Sequence, residues 1–292
     1  MIERMTKYLC VSMTALTHCW GSNINVYLLA GQSNALGAFT GEYSAEYDTE
    51  PANVQFYNNG NLSTLIPDST APYYFGDGLE LELGRQMVLH EPGADFAILK
   101  HAGAGQSLYD QSDWYADGTS SSVNDGTAYL NFQNSTARAL TDLSDRGYTT
   151  QLRGFIWVQG EADAAEGRST EEYTADLTNF IVDVRSTYGD IPFIFTRLSD
   201  NAVILDAATK SMNRVGVIQA AQDSVDASVE GTYLIHSNSF ELIGDNVHYS
   251  ASGQITHGAT VYNTLQSIPE PSSMILLLGS SAFLVAQRKR RP

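Results

Sequence analysis

Residues 24–37, Ile24-Asn25-Val26-Tyr27-Leu28-Leu29-Ala30-Gly31-Gln32-Ser33-Asn34-Ala35-Leu36-Gly37, run from an apolar segment straight into a glycine-flanked polar turn. The first half, Ile24 to Ala30, is short and nearly continuous in apolarity, as a strand buried on both faces of a parallel sheet should be. The same character returns at Ala94–Lys100, Gly154–Gln159, Ile191–Thr196 and Thr232–His236. Between these runs lie Leu79–Leu89, Ala128–Leu143, Thr170–Tyr188, Met212–Val225 and Gly253–Leu265, with apolar residues at helical spacing. Strands alternating with helices predict an α/β fold: a three-layer αβα sandwich around a central parallel sheet of about five strands. Ligands of such sheets sit beyond the carboxyl ends of the strands. Ser33 stands at such an end, where its hydroxyl can project into a crevice beside free backbone N–H groups, although the motif is not G-x-S-x-G. Taken alone, Gly31-Gln32-Ser33-Asn34 reads equally well as a polar turn.

A serine hydroxyl is barely acidic and needs a base to act as a nucleophile. Of the six histidines, His18 lies in the N-terminal segment, His90 and His257 sit on helical patterns and read as surface residues, and His101 and His236 follow strands. His248 stands in Asp245-Asn246-Val247-His248, just before the last helix. Asp245 can orient the imidazole while its other nitrogen faces Ser33; the same four residues also fit a capped turn. A third element, Trp157-Val158-Gln159-Gly160-Glu161-Ala162-Asp163, ends a strand, and the Gln159 amide can donate to an oxyanion. Glu161 and Asp163 make a poor glycosidase pair, because neighbours on one loop do not flank a scissile bond from opposite sides. In Ala102-Gly103-Ala104-Gly105-Gln106-Ser107-Leu108, small residues let a backbone N–H approach a ligand.

The chain of 292 residues carries a formal net charge of −17, which argues against nucleic-acid binding. Two long segments are rich in aromatic residues: 38–78, with Tyr43, Tyr47, Tyr57, Tyr73, Tyr74 and Phe75, and 106–127, with Trp114 and Tyr115. These rings either stack on sugars or pack within their loops. The cysteines, Cys10 and Cys19, both lie near the N-terminus, so the body has neither disulfide nor thiolate metal site. Residues 1–22 have a basic start and an apolar stretch from Tyr8 to Leu16, the outline of a signal peptide or of a frayed extension. Residues 268–292 hold an apolar run from Met274 to Ala286, near the minimum for a membrane span, and then Arg288, Lys289, Arg290 and Arg291. Residues 23–267 remain as one domain.

The segments GQSNALG, KHAGAGQSL, WVQGEAD and DNVH, in that order, resemble the SGNH hydrolases over about Ile24 to Leu265. The branch they resemble is the sialate O-acetylesterase and acetylxylan esterase type (carbohydrate esterase family 6-like). The resemblance implies an SGNH/flavodoxin-like fold and a serine esterase that removes acetyl or other short acyl groups from carbohydrate through an acyl-enzyme. It implies Ser33, His248 and Asp245 as the triad. It implies an oxyanion hole made by the Ser33 N–H, the Gly105 N–H and the Gln159 side chain, with Gln32, Asn34 and Glu161 as supporting residues. No cofactor and no metal are implied. The family often has Gly-Gly-Thr where this chain has Ala104-Gly105-Gln106, so the shape of that loop is this chain's own. A catalytically silent carbohydrate-binding or extracellular matrix protein on the same fold is the competing expectation. Pro269-Glu270-Pro271, the apolar run and the basic end resemble the PEP-CTERM sorting signal of certain Gram-negative bacteria. That resemblance implies an exosortase-type processing partner, transient anchoring in the inner membrane and a final extracytoplasmic place, at the cell surface or secreted. An ordinary tail anchor is the alternative.

Overall fold

The quoted apolar segment is β1 (Ser22–Gly31), the central strand of a seven-stranded sheet in the computed structural model, which describes residues 21–67, 77–119 and 123–269. The other strands are β2 (Val54–Asn58), β3 (Asn61–Ser63), β4 (Asp95–Ala102), β5 (Tyr148–Val158), β6 (Phe193–Arg197) and β7 (Thr232–His236). Their order across the sheet is β3-β2-β4-β1-β5-β6-β7, and every neighbouring pair is parallel except the β2–β3 hairpin. The α/β sandwich is therefore as expected, but with two strands more than the sequence pattern indicates. Both come from the segment read as a loop. In β2, Val54, Phe56 and Tyr57 are buried, while Gln55 and Asn58 interrupt the apolar run; β3 is an edge strand with exposed Asn61 and Leu62. Strand β5 also begins at Tyr148 rather than Gly154. Its polar first half pairs with the start of β1, and the register shifts opposite Val26/Tyr27.

The helices are α1 (Ser33–Leu36), α2 (Glu80–His90), α3 (Thr127–Asp145), α4 (Glu161–Ala165), α5 (Thr170–Tyr188), α6 (Val215–Ser228) and α7 (Ala251–Ser267). Alternation along the strands divides them between the two faces of the sheet. Ile24, Val26, Leu28 and Ala30 of β1, with Phe155 and Trp157 of β5, pack against Phe132 of α3, Phe180 of α5 and Ile218 of α6. Tyr27, Leu29, Ile156 and Val158 point the other way, to Leu83 and Met87 of α2 and Val261 of α7. Fully burying one such side chain contributes about 1.5–3 kcal/mol, and a one-residue slip would send every side chain to the wrong face. The pattern that reveals the strands thus also fixes their register, and with it the position of Ser33.

His257 corrects the surface reading. It is fully buried on α7, its Nε2 lies 2.7 Å from Thr196 Oγ1, and its ring stacks on Phe240 at 4.8 Å. His90 is exposed at the end of α2, as expected. Among the described residues no helix is long and apolar enough to cross a membrane. The expected signal segment up to residue 20, both cysteines, Tyr73, Tyr74, Phe75 and the Met274–Ala286 run lie outside the described residues.

Candidate active site

Strand β1 delivers its last residues between the ends of β4 and β5. Gly31 has φ 143°, and a Cβ there would lie 2.0 Å from the Val158 carbonyl oxygen, so only glycine lets the chain pass. The Gln32 N–H donates to that carbonyl at 3.0 Å, and the Gly103 N–H donates to the Gly31 carbonyl at 3.2 Å. The chain then turns into the single-turn helix α1, which begins at Ser33. Lys100 of β4 secures the far end of this turn. Its Nζ donates to the Leu36 carbonyl at 3.0 Å and to Glu80 Oε1 at 2.5 Å, both ionic side chains being buried. Breaking such a buried pair from one side costs about 3–5 kcal/mol. Sequence reading missed this clamp; its one visible trace is a lysine at the end of an apolar strand.

The turn between β7 and α7 brings the base over Ser33. Asp245 Oδ1 accepts from the Val247 and His248 backbone N–H groups at 2.9 and 3.0 Å. Its Oδ2 lies 2.7 Å from His248 Nδ1, and His248 Nε2 lies 3.0 Å from Ser33 Oγ. With the Nδ1–H donated to the carboxylate, Nε2 is free to accept from the serine hydroxyl. Burial pushes the Asp245 carboxyl up, but the hydrogen bonds from His248 and Val247 outweigh it and hold the group below its usual range. The Phe39 ring covers the imidazole at 4.6 Å.

Asn34 ties this turn to the nucleophile. Its Nδ2 donates to Glu161 Oε1 at 2.6 Å and to the Val247 carbonyl at 3.0 Å, and its Oδ1 accepts from the Tyr249 N–H at 3.0 Å. Glu161 is buried, and burial raises its carboxyl despite the Asn34 bond and the nearby His248. Gln32 Oε1 accepts from the Ala162 N–H at 3.1 Å, joining α1 to α4. These three residues, expected as support, each bridge two of the elements that converge here.

The expected oxyanion donors stand differently. Gly105 is exposed at φ 70°, and among the described residues nothing accepts its N–H. Gln159 is buried, and its amide is already engaged. Nε2 donates to Asp163 Oδ2 and, at 3.2 Å, to the Gln106 carbonyl, while Oε1 accepts from the Tyr173 hydroxyl at 2.9 Å. Asp163 and Tyr173 were not expected here. The aromatic residues expected at the crevice divide as well. Tyr47, Tyr57 and Trp114 are core residues, Tyr43 donates its hydroxyl to the Asp77 carbonyl at 2.7 Å, and Tyr115 is half-buried.

The carboxylates of Asp117, Asp125 and Asp183 approach within 4.8 Å of one another, but they belong to α5 and the segment before α3, not to the turns that carry Ser33 and His248. The site itself groups a hydroxyl, an oriented imidazole and a carboxylate, which suits acyl transfer.

Residues 23–267 match the family described as carbohydrate esterase, sialic acid-specific acetylesterase. Among solved structures, the chain is similar to a protein from Arabidopsis thaliana, at 14% identity and TM-score 0.63, over 83% of this chain and 98% of that one. It is similar to NanS at 15% identity and TM-score 0.58, over 84% of this chain and 98% of that one. It is also similar to a carbohydrate acetylesterase from Xanthomonas citri at 14% identity and TM-score 0.54, over 81% of this chain but 54% of that one. At these identities the likeness is one of fold. No curated protein matches the sequence.

Proposed function

We propose, for a chain that belongs to the carbohydrate esterase family of sialic acid-specific acetylesterases, that Ser33 attacks the acetyl carbonyl of an acetylated carbohydrate and carries the acyl group as an ester. The observation that carries this reading is the relay from Ser33 Oγ to His248 Nε2 at 3.0 Å and from His248 Nδ1 to Asp245 at 2.7 Å. As Ser33 Oγ bonds to the carbonyl carbon, its proton passes to His248 Nε2, and the ionised Asp245 holds and stabilises the resulting imidazolium. The oxyanion takes the N–H groups of Ser33 and Gly105 and one hydrogen of Gln159 Nε2, the one now on the Gln106 carbonyl. The bond to the sugar oxygen then breaks, and that oxygen leaves with the proton from His248. Water attacks the acyl-enzyme, giving its proton to His248; acetate leaves and Ser33 recovers its hydrogen. By the sequence of its two ends, the enzyme is exported, held transiently in the inner membrane and processed by an exosortase-type partner.

Ser33→Ala should lower p-nitrophenyl acetate hydrolysis by about 10³-fold or more, with an unchanged circular dichroism spectrum. Hydrolysis close to the wild-type rate would remove Ser33 from the mechanism. Acetate release from a panel of acetylated polysaccharides and sialosides identifies the sugar.

A further inference from the structure

We propose that Asp163 is the positioning residue of the oxyanion hole, fixing both the orientation of the Gln159 amide and the seat of the Gly105 loop through a single carboxylate oxygen. The proposal rests on the serine esterase reading above and deepens it. Asp163 lies on α4, is fully buried, and makes its hydrogen bonds away from Ser33, His248 and Asp245. Its Oδ2 receives two donors, Gln159 Nε2 and, at 3.0 Å, the Leu108 backbone N–H. Its Oδ1 has no partner among the described residues.

An amide has two ends of nearly equal shape, and something must choose between them. An ionised carboxylate can only accept, so it draws the NH2 end of Gln159 toward itself, and the Tyr173 hydroxyl donates to the other end at 2.9 Å. A bond to a charged acceptor is about twice as strong as a neutral one. One hydrogen of Gln159 is therefore committed to Asp163. The other, on the Gln106 carbonyl at 3.2 Å, is the more weakly held and the one available to an oxyanion.

The Leu108 bond does the second part. The loop after β4 is held residue by residue. The Gln106 side chain accepts from Trp114 Nε1 at 2.9 Å, the Ser107 N–H donates to Asp113 Oδ2 at 2.8 Å, and the Leu108 N–H donates to Asp163. Ala104 and Gly105 are left as the exposed tip. Removing Asp163 frees one end of this platform and the Gln159 amide together. Burial pushes the Asp163 carboxyl up to about 7, against the bonds from Gln159 and Leu108. Above that pH the carboxyl is ionised and accepts only.

The test measures kcat and KM for p-nitrophenyl acetate, per active site titrated with a fluorophosphonate, in Asp163→Ala, Asp163→Asn, Gln159→Ala and the Asp163→Ala/Gln159→Ala double variant. Asp163→Ala is expected to lower kcat by about 10–100-fold with KM within about threefold of wild type. Asp163→Asn keeps one acceptor oxygen and should recover part of that loss. In the Gln159→Ala background, Asp163→Ala should cost clearly less than it does in wild type, because the part that acts through the amide is already lost and only the part through Leu108 remains. Multiplying losses, a change confined to thermal midpoint or KM, or no recovery in Asp163→Asn would overturn the proposal. Should Asp163→Ala not fold, Asp163→Asn alone and combined with Gln159→Ala decides by the same coupling. Failure of the esterase reading is distinguishable, because it would show as wild-type activity in Ser33→Ala.

Discussion

Asp245 divides its two oxygens between structure and chemistry. Oδ1 closes the turn by accepting from Val247 and His248, and Oδ2 sets the imidazole. Its carboxyl is held below the usual range, so it is ionised wherever His248 acts as a base. The stability it contributes is present above the ordinary carboxylate value and is lost as pH falls through the lower folded value. Asp245→Asn retains an acceptor for the turn but presents a neutral amide to Nδ1 and favours the wrong tautomer. We expect kcat for p-nitrophenyl acetate to fall by about 10³–10⁴-fold, with the far-ultraviolet circular dichroism unchanged. A loss of only a few-fold would mean that His248 is oriented by something else. The meeting of Ser33, His248 and Asp245 was legible, because chemistry restricts which residues can fill the proposed roles. Asp163 was legible only as a spare carboxylate, since its role depends on its burial and on Leu108, distant in sequence.

At the scale of elements, helix α7 illustrates both the reach and the limit of periodicity. The pattern located the helix within a few residues, yet placed His257 on the surface. A buried histidine bonded to Thr196 on β6 interrupts the apolar stripe just as an exposed one would. Strand β2 was lost for a related reason, because Gln55 and Asn58 break its apolarity. The one-turn helices α1 and α4 are too short to leave a period. Burial lowers the His257 imidazole from 6.5 to about 3. The folded state therefore keeps it neutral, and unfolding below the ordinary value takes up a proton. Its contribution to stability is present above pH 6.5 and is lost as pH falls toward about 3. Urea unfolding of wild type and His257→Gln should differ by about 1–3 kcal/mol at neutral pH, and the gap should narrow as pH falls below that of free imidazole. The half-buried His101, also lowered, to about 4, by desolvation, is common to both proteins and cancels in the difference. A gap that is constant down to acid pH would contradict a neutral buried His257.

On the scale of the whole molecule, parallel topology assembles the site. Strands β4, β1 and β5 are neighbours running the same way, so the loops after them open on one edge, and the turn before α7 closes over it. Ser33 and His248, 215 positions apart in the sequence, meet there. The order of strands could not be read from the sequence, but the recurrence of glycine-rich or polar motifs at strand ends could. The clamps that hold those ends, Lys100 with Glu80 and Asp163 with Leu108, join residues distant in sequence and depend on burial, which no local pattern reports. The central claim is that Ser33 carries the acyl group. Mixing the enzyme with p-nitrophenyl acetate, quenching in acid within the first turnover and mapping peptides by mass spectrometry tests it most directly. The account predicts an acetyl group on the peptide containing Ser33, absent from Ser33→Ala; turnover with no acetylated peptide, or with the acetyl on another residue, would contradict it.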